Sequence, residues 1–175
     1  IFSRKVISRL FICTICPFFV KIKNKLDKLY VISSNYFNSN SGVFMSKKTF
    51  SKIVSDSAQD LDVINSDQLN KLMKEDDELI ILDVSDKETV EDRGFVPGAV
   101  NISLGTLYYK ADSEVPDDYK DERIQDRDKK VVMTCSIGAC AAIGGKLLKD
   151  MGFNDVVLLE GGVEAWKKSG YDIEK

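Results

Sequence analysis

Two thiols five residues apart carry the chemistry that this sequence suggests most directly. Cys135 and Cys140 lie in the stretch TCSIGACAA, which joins the apolar run VVM to a segment with helical periodicity. The residues between the thiols are small or apolar and carry no charge. A thiolate at such a turn is a strong nucleophile, and Cys135 lies two residues after the apolar run, so we take Cys135 as the candidate catalytic residue.

The turn itself gives a physical reason for the Cys135 thiol to ionise. A helix that opens just after a parallel strand directs its free backbone amides, and the positive end of its dipole, toward the end of that strand. Ser136, Gly138 and Ala139 are small enough to let those amides face the sulfur. A free thiol with a pKa of about 8.5 is only a few per cent ionised at neutral pH, and a decrease of about two units makes the thiolate dominant.

Each thiol also has a purely structural interpretation. Free cysteine is among the most buried residue types, so Cys135 could be a core side chain at the end of a strand. Cys140 is predicted in the first turn of the next helix, where a small apolar residue needs no explanation. Its functional interpretation is a second, resolving thiol beside a reactive sulfur.

Alternating strands and helices are predicted around the two thiols. Residues 79–84 (LIILDV), 130–135 (KVVMTC) and 155–160 (DVVLLE) are runs of strand length, and the first two are typical of strands covered on both faces. Helical periodicity follows over residues 139–151, and GGVEAWKKSG is predicted to be a closing helix. The pattern predicts an α/β domain with a mostly parallel central sheet flanked by helices.

Local sequence signals refine this outline. Ser66 is predicted to cap the first helix of the domain, and SDKE, with Ser85 and Glu88, is predicted to form a capping box. Gly144 and Gly145 lie within a predicted helix, where glycine is unfavourable, so we expect the backbone to pass close to a neighbour there.

Composition narrows the chemistry further. The chain has no histidine, which excludes a Cys-His nucleophile pair, a Ser-His-Asp triad and most zinc sites that mix Cys with His. The net charge of −3 divides into +6 for residues 1–44 and −9 for residues 45–175. An acidic domain offers no electrostatic surface for nucleic acid, so we expect no nucleic-acid partner.

The basic segment before Met45 is expected to lie outside the fold. Its apolar run LFICTICPFFV has eleven residues, fewer than the roughly 20 that span a bilayer. We interpret residues 1–44 as upstream translation or a leader, residues 45–61 as an N-terminal extension and residues 62–175 as the domain, and we treat the CTIC pair as accidental. Free thiols fit the cytoplasm, whereas a genuine leader would place the domain in the cell envelope or periplasm and is the only route to a membrane.

The ordered motifs of the acidic part resemble those of the rhodanese family. The matching pieces are IILDVSDKETVEDRGFVPGAVNISLGTL and VVMTCSIGACAAIGGKLLKDMGFNDVVLLEGGVEAW, which together span roughly residues 62–171. The resemblance implies a single rhodanese-like domain in which Asp83 is retained and Cys135 is the persulfide-forming cysteine. It also implies an active-site loop of Ser136, Ile137, Gly138, Ala139 and Cys140.

The resemblance implies sulfurtransferase activity without a metal or organic cofactor. The Cys135 thiolate would take sulfane sulfur from a small anionic donor, thiosulfate or a persulfide, and pass it to a thiophilic acceptor such as cyanide, a thiol or a protein. The alternative is a non-catalytic module of the same fold that binds a protein or works in thiol redox chemistry. A cysteine phosphatase is disfavoured, because Ala141 stands where that chemistry needs an arginine.

Three departures from the family remove positive or protonatable groups. Ser85 and Phe95 stand where the family often has Arg and His, and Ser136 and Cys140 stand where its loop often has Arg. The loop therefore lacks an arginine that could bind a sulfate-like group through two hydrogen bonds. For this reason persulfide chemistry is a firmer expectation than thiosulfate activity. The nearest basic residues in the sequence, Arg93 and Lys146, are predicted to be solvated.

Overall fold

The computed structural model describes residues 48–175, so the expectations for residues 1–44 lie outside the described part of the chain. The strands are β1 (Asp62–Ile64), β2 (Ile80–Asp83), β3 (Val100–Asn101), β4 (Lys130–Thr134) and β5 (Asp155–Leu159). The helices are α1 (Phe50–Ala58), α2 (Ser66–Glu75), α3 (Lys87–Arg93), α4 (Leu104–Lys110), α5 (Ala139–Asp150) and α6 (Gly162–Lys168), with a 3-10 turn at Glu122–Ile124.

The five strands form one parallel sheet in the order β1-β5-β4-β2-β3. Met133 of β4 lies in register between Leu82 of β2 and Leu158 of β5. The predicted α/β class, with a parallel sheet flanked by helices, is therefore confirmed. The strand that leads into Cys135 is the central one, so the thiol is placed by the most protected part of the sheet.

Both faces of the sheet are buried, as the continuous apolar runs predict. On one face, Leu82 and Met133 pack in a cluster with side chains from α4 and α5, including Leu107 and Leu148. On the other face, a second cluster joins the sheet to α2 and α6 through Ile81, Val132, Leu69 and Trp166. The site at the carboxyl ends of the strands is thus built on a core covered by helices on both sides.

The extension before β1 contributes a helix to this core. α1 lies against α5, and its residues Val54 and Ala58 pack on the cluster that includes Leu148. Thr49 caps the helix by accepting a hydrogen bond from the backbone amide of Lys52 at 3.2 Å. Within residues 48–175, no helix has both the length and the apolar character needed to cross a membrane.

The predicted cap at Ser66 is wrong by one residue. Asn65 has the extended backbone of a cap, and its side-chain oxygen accepts from the amide of Gln68 at 2.9 Å. The side chain of Gln68 accepts from the Asn65 amide at 2.9 Å, which completes a capping box. Asn and Ser are similarly favoured caps, so sequence alone does not separate the two neighbours.

The capping box predicted in SDKE is also wrong. α3 begins at Lys87 with Asp86 at the cap position, and no side-chain hydrogen bond caps it. The Asp86 carboxylate instead accepts from the hydroxyl of Ser103, and Ser85 is turned toward Arg93. A tertiary partner has thus taken the Ser85 hydroxyl that the predicted box would use, and another has taken the side chain of Asp86 at the actual cap position.

The two glycines within α5 are explained by close packing. A Cβ atom at Gly145 would lie 2.8 Å from a methyl group of Leu61, and one at Gly144 would lie 3.0 Å from the terminal methyl of Met133. The expectation of a close neighbour is confirmed at both positions. α5, which begins at the candidate loop, therefore packs directly against the sheet.

We expect Leu82→Ala to lower the free energy of unfolding by about 2–5 kcal/mol, because it leaves a cavity in the core beside the central strand. Urea unfolding followed by circular dichroism measures the change. Val63→Ala, at a half-exposed side chain of β1, serves as the control and should cost less than about 1 kcal/mol. Equal losses in the two variants would contradict this account of the core.

Candidate active site

The candidate site lies where the strand connections diverge. β2 leads through α3 to β3 on one side, while β4 leads through α5 to β5 on the other. The carboxyl ends of two such strands leave a crevice between them, which is the usual ligand site of open parallel sheets. Here a cleft of about 600 Å³ opens at that point, and Val84 and Ser85 after β2 and Cys135 after β4 line it.

The loop after β4 wraps around the sulfur of Cys135. Gly138 adopts a left-handed backbone, with φ of 91°, and forms the N-cap of α5. This conformation turns its amide back, so that it donates to the Cys135 sulfur at 3.2 Å. Within residues 48–175, it is the one backbone amide that donates to this sulfur, fewer than the several that the sequence suggested.

The same loop is fixed from its other side by the start of α6. The carbonyl of Cys135 accepts from the amide of Val163 at 2.9 Å, and the carbonyl of Ser136 accepts from that of Glu164 at 3.0 Å. A Cβ atom at Gly162 would lie 2.2 Å from the Cys135 carbonyl oxygen, so only glycine allows this approach. Sequence reasoning missed this contact, although the Gly-Gly pair at the start of α6 was a signal for it.

Cys135 is both a core residue and part of the cleft wall. Only 4% of its surface is exposed, and it belongs to the core cluster on the α5 side of the sheet. It nevertheless lines the cleft together with Ala139 and Cys140, so the sulfur lies at the base of an opening. Ile137, at the tip of the loop, is 67% exposed.

A buried ion pair lies directly behind the loop. Asp83, at the end of β2, has no exposed surface, and one of its carboxylate oxygens lies 2.5 Å from the guanidinium of Arg93. Only 8% of the Arg93 side chain is exposed. The prediction that Arg93 is solvated is therefore wrong, because the buried carboxylate needs a counter-charge and the last residue of α3 supplies it.

The ion pair extends into the loop through serine hydroxyls. Arg93 donates to the hydroxyl of Ser136 at 2.6 Å and to that of Ser85 at 3.3 Å. Asp83 accepts from the backbone amide of Ser85 at 2.9 Å. The network ties the ends of β2 and α3 to the residue after Cys135, so it orients the loop without touching the sulfur.

Lys146 takes no part in this network. Its ammonium group pairs with Asp150 on the same helix, and it lies 3.7 Å from a carboxylate oxygen of Asp60. About a third of its side chain is exposed, so it is a surface residue, as expected from the sequence. The structure thus brings one of the two basic residues to the loop and leaves the other outside.

Cys140 faces the same cleft as a partly buried free thiol. Burial raises the pKa of Cys140, and the negative charges of Cys135 and Asp86 raise it further. Cys140 is therefore a neutral thiol near neutral pH. The position that faces the Cys135 sulfur offers a weak hydrogen-bond donor and no positive charge.

Comparison with known proteins identifies related sequences and folds. A family profile described as Rhodanese-like domain matches residues 65–169. A Rhodopseudomonas palustris protein of unknown function, described as a possible tyrosine phosphatase, is 27% identical with a TM-score of 0.68, covering 73% of this chain and 96% of its own. No curated protein matches the sequence.

Two sulfur-transferring enzymes share the fold at lower identity. The polysulfide-sulfur transferase of Wolinella succinogenes is 24% identical with a TM-score of 0.57, over 71% of this chain and 86% of its own. A thiosulfate sulfurtransferase from Pseudomonas aeruginosa is 18% identical with a TM-score of 0.56, over 70% of this chain and 22% of its own. At these identities the likeness establishes the fold.

We expect Arg93→Gln to lower the free energy of unfolding by about 3–5 kcal/mol, because it leaves the Asp83 carboxylate buried without its counter-charge. Lys87→Gln, on the same helix, is the control, since it removes an exposed ion pair with Glu91 and should cost less than about 1 kcal/mol. Urea unfolding measures both. The double variant Asp83→Asn/Arg93→Gln should recover part of the loss, and no recovery would argue against the buried charge as the cause.

We expect the pH midpoint for alkylation of Cys140 to lie above that of a cysteine in an unstructured peptide, because burial favours its neutral form. In Cys135→Ser the midpoint should fall only partway, since the Cys135 charge is removed but burial, the larger cause, remains. Iodoacetamide labelling resolved by peptide mapping measures each site. An unchanged midpoint in Cys135→Ser would show that the two thiols do not interact.

The raised pKa of Cys140 also predicts a pH dependence of stability. The neutral thiol favours the folded state at pH values below the pKa of the unfolded cysteine, and this contribution is lost as the pH rises through the folded value. Cys140→Ser should therefore reduce the change in the free energy of unfolding with pH in the alkaline range, as measured by urea unfolding at a series of pH values.

Proposed function

Because the chain belongs to the rhodanese-like domain family, we propose that it is a sulfurtransferase that carries a sulfur atom as a persulfide on Cys135. The observation that carries this proposal is the hydrogen bond from the Gly138 amide to the Cys135 sulfur at the base of a cleft. A hydrogen bond from a fixed amide favours the charged form of a thiol and stabilises a negative sulfur during reaction.

The proposed reaction has two exchange steps at one sulfur. In the first, the Cys135 thiolate attacks the outer sulfur of a donor persulfide RS–SH, so that a new S–S bond forms while the donor's S–S bond breaks and its electrons leave with RS⁻. In the second, an acceptor thiolate attacks that outer sulfur and releases the Cys135 thiolate. Neither step needs a general base, which agrees with the absence of histidine from the sequence.

The residues around Cys135 divide between contact and positioning. Gly138 touches the sulfur, whereas Arg93 and Ser136 act through the loop and are positioning residues. Because the loop is bonded to α6 on one side and to Arg93 on the other, its amide is already aimed before a donor arrives. Such preorganisation removes the cost of reordering the site during reaction.

Phosphatase chemistry is less well supported, although it is suggested for the Rhodopseudomonas palustris protein. A phosphoryl group carries two negative charges and needs a cation at the loop. Ala141 is fully buried in this chain, and the described residues that line the cleft include no lysine or arginine. Transfer of a sulfur atom between thiols does not need a cation at the loop.

The proposal includes the partners and the setting. The donor is a small sulfur compound, and the acceptor is a low-molecular-weight thiol or a protein cysteine. Cys135 and Cys140 are both free thiols, and such a pair stays reduced in the cytoplasm, where we place the protein.

Incubation of the full chain with a persulfide donor should add the mass of one sulfur atom to the peptide that contains Cys135, as measured by mass spectrometry. The gain should disappear on treatment with a reductant. It should also be absent in Cys135→Ala, because that variant lacks the attacking sulfur, and present in Cys140→Ala, which retains the sulfur and the Gly138 amide.

A negative result has a defined meaning. If no donor adds sulfur to Cys135 while the variants fold normally, the sulfurtransferase proposal is wrong and a non-catalytic binding module of the same fold is the better account. Sulfur added mainly to Cys140 would instead show that Cys140, and not Cys135, is the residue that carries the sulfur.

A further inference from the structure

The cleft above Cys135 combines an apolar wall with a negative charge. Asp86 is the one charged side chain among the described residues that line it, and it is exposed. The remaining lining residues are apolar or are uncharged serine, threonine, glycine and cysteine. A compact dianion entering this cleft would leave water for a surface without a cation and with a carboxylate.

The neighbouring cations of the described residues are paired with other carboxylates, including Lys87, which follows Asp86 in the chain and lies 3.6 Å from Glu91. Arg93 is paired with Asp83 behind the loop. Lys48 and Lys52, on either side of Phe50 in the chain, both contact the carboxylate of Asp56. Asp86 itself has no ion-pair partner among the described residues, and its charge contributes to the raised pKa of Cys140 in the same cleft.

The apolar wall is formed partly by a residue from outside the region that the family profile matches. Phe50, in the first turn of α1, lines the cleft and is 59% exposed. α1 is held in place by Val54 and Ala58, which pack on the core beside α5. Ile137 and Leu104 also line the cleft, so an apolar group next to a reacting sulfur has apolar side chains to contact.

We propose, on the premise of the sulfurtransferase function above, that the preferred donor is an organic persulfide with an uncharged, apolar group beside its sulfur, and that Phe50 and Asp86 set this preference. The apolar group gains by leaving water against Phe50, Leu104 and Ile137. Thiosulfate and similar dianions are repelled by Asp86 and find no compensating cation. The transfer step is RS–SH + Cys135–S⁻ → Cys135–S–SH + RS⁻, in which R is the group that the wall recognises.

The test compares two donors, thiosulfate and benzyl persulfide, by the rate at which Cys135 gains one sulfur atom in quenched samples. Phe50→Ala should lower the rate with benzyl persulfide by about threefold to tenfold and leave the rate with thiosulfate within about twofold. Asp86→Lys should raise the thiosulfate rate by about tenfold and leave the benzyl persulfide rate within about twofold. Because each variant's rate is expressed relative to the unaltered chain with the same donor, differences in the donors' intrinsic reactivity cancel.

Matched controls separate these effects from general changes in charge or folding. Asp77→Lys makes the same charge change on an exposed residue just before β2, at the opposite end of the strands from Cys135, and should alter neither rate. Asp86→Asn can keep a hydrogen bond with Ser103 and should give a smaller rise with thiosulfate than Asp86→Lys. Thermal unfolding confirms that each variant is folded.

The outcomes distinguish the two proposals. If neither donor loads Cys135 in the unaltered chain, the sulfurtransferase function itself is wrong. If both donors load it but Phe50→Ala and Asp86→Lys change the two rates in parallel, the function stands and the proposed selectivity is overturned. A lower rate with benzyl persulfide alone in Phe50→Ala and a higher rate with thiosulfate alone in Asp86→Lys, with no response to Asp77→Lys, support the selectivity.

Discussion

The buried ion pair between Asp83 and Arg93 is the interaction on which the arrangement of the loop depends. A carboxylate without exposed surface at the end of an interior strand is tolerated only with a counter-charge and hydrogen bonds, and Arg93 provides both. The same guanidinium also donates a hydrogen bond to the hydroxyl of Ser136, the residue after Cys135. One pairing therefore couples the end of the sheet to the orientation of the loop.

The loop is held by two kinds of contact that do not compete. Side-chain charge holds it from the β2 side through Ser136, while backbone hydrogen bonds hold it from the α6 side through the carbonyl groups of Cys135 and Ser136. With both in place, the left-handed turn at Gly138 keeps its amide on the sulfur. The guanidinium of Arg93 thus bonds to the loop through Ser136 and does not contact the sulfur of Cys135. That sulfur meets the amide of Gly138 and the neutral thiol of Cys140.

The sequence predicted those features that depend on local patterns. The apolar runs predicted the parallel strands, and the unfavourable Gly144 and Gly145 correctly indicated a close neighbour. Arg93 was mispredicted because its partner lies ten residues earlier, at the end of a different element, and no periodic pattern links the two. The capping box at Ser85 failed for a related reason, since Arg93 engages the Ser85 hydroxyl that would have formed it and the helix begins one residue later, with Asp86 at the cap position. The position of Phe50 depends on how α1 packs on α5, which only the folded chain reveals.

The placement of α1 has a consequence for how proteins with this sheet diverge. The helix lies before residue 65, where the family match begins, yet it forms part of the cleft wall. Phe50 is exposed and makes no contact on which the ion pair or the loop depends, so its replacement by natural variation carries little penalty for folding. The segment preceding β1 is accordingly a place where related chains can acquire new chemical preferences by exchanging one short helix, while the inherited sulfur and its amide stay unaltered.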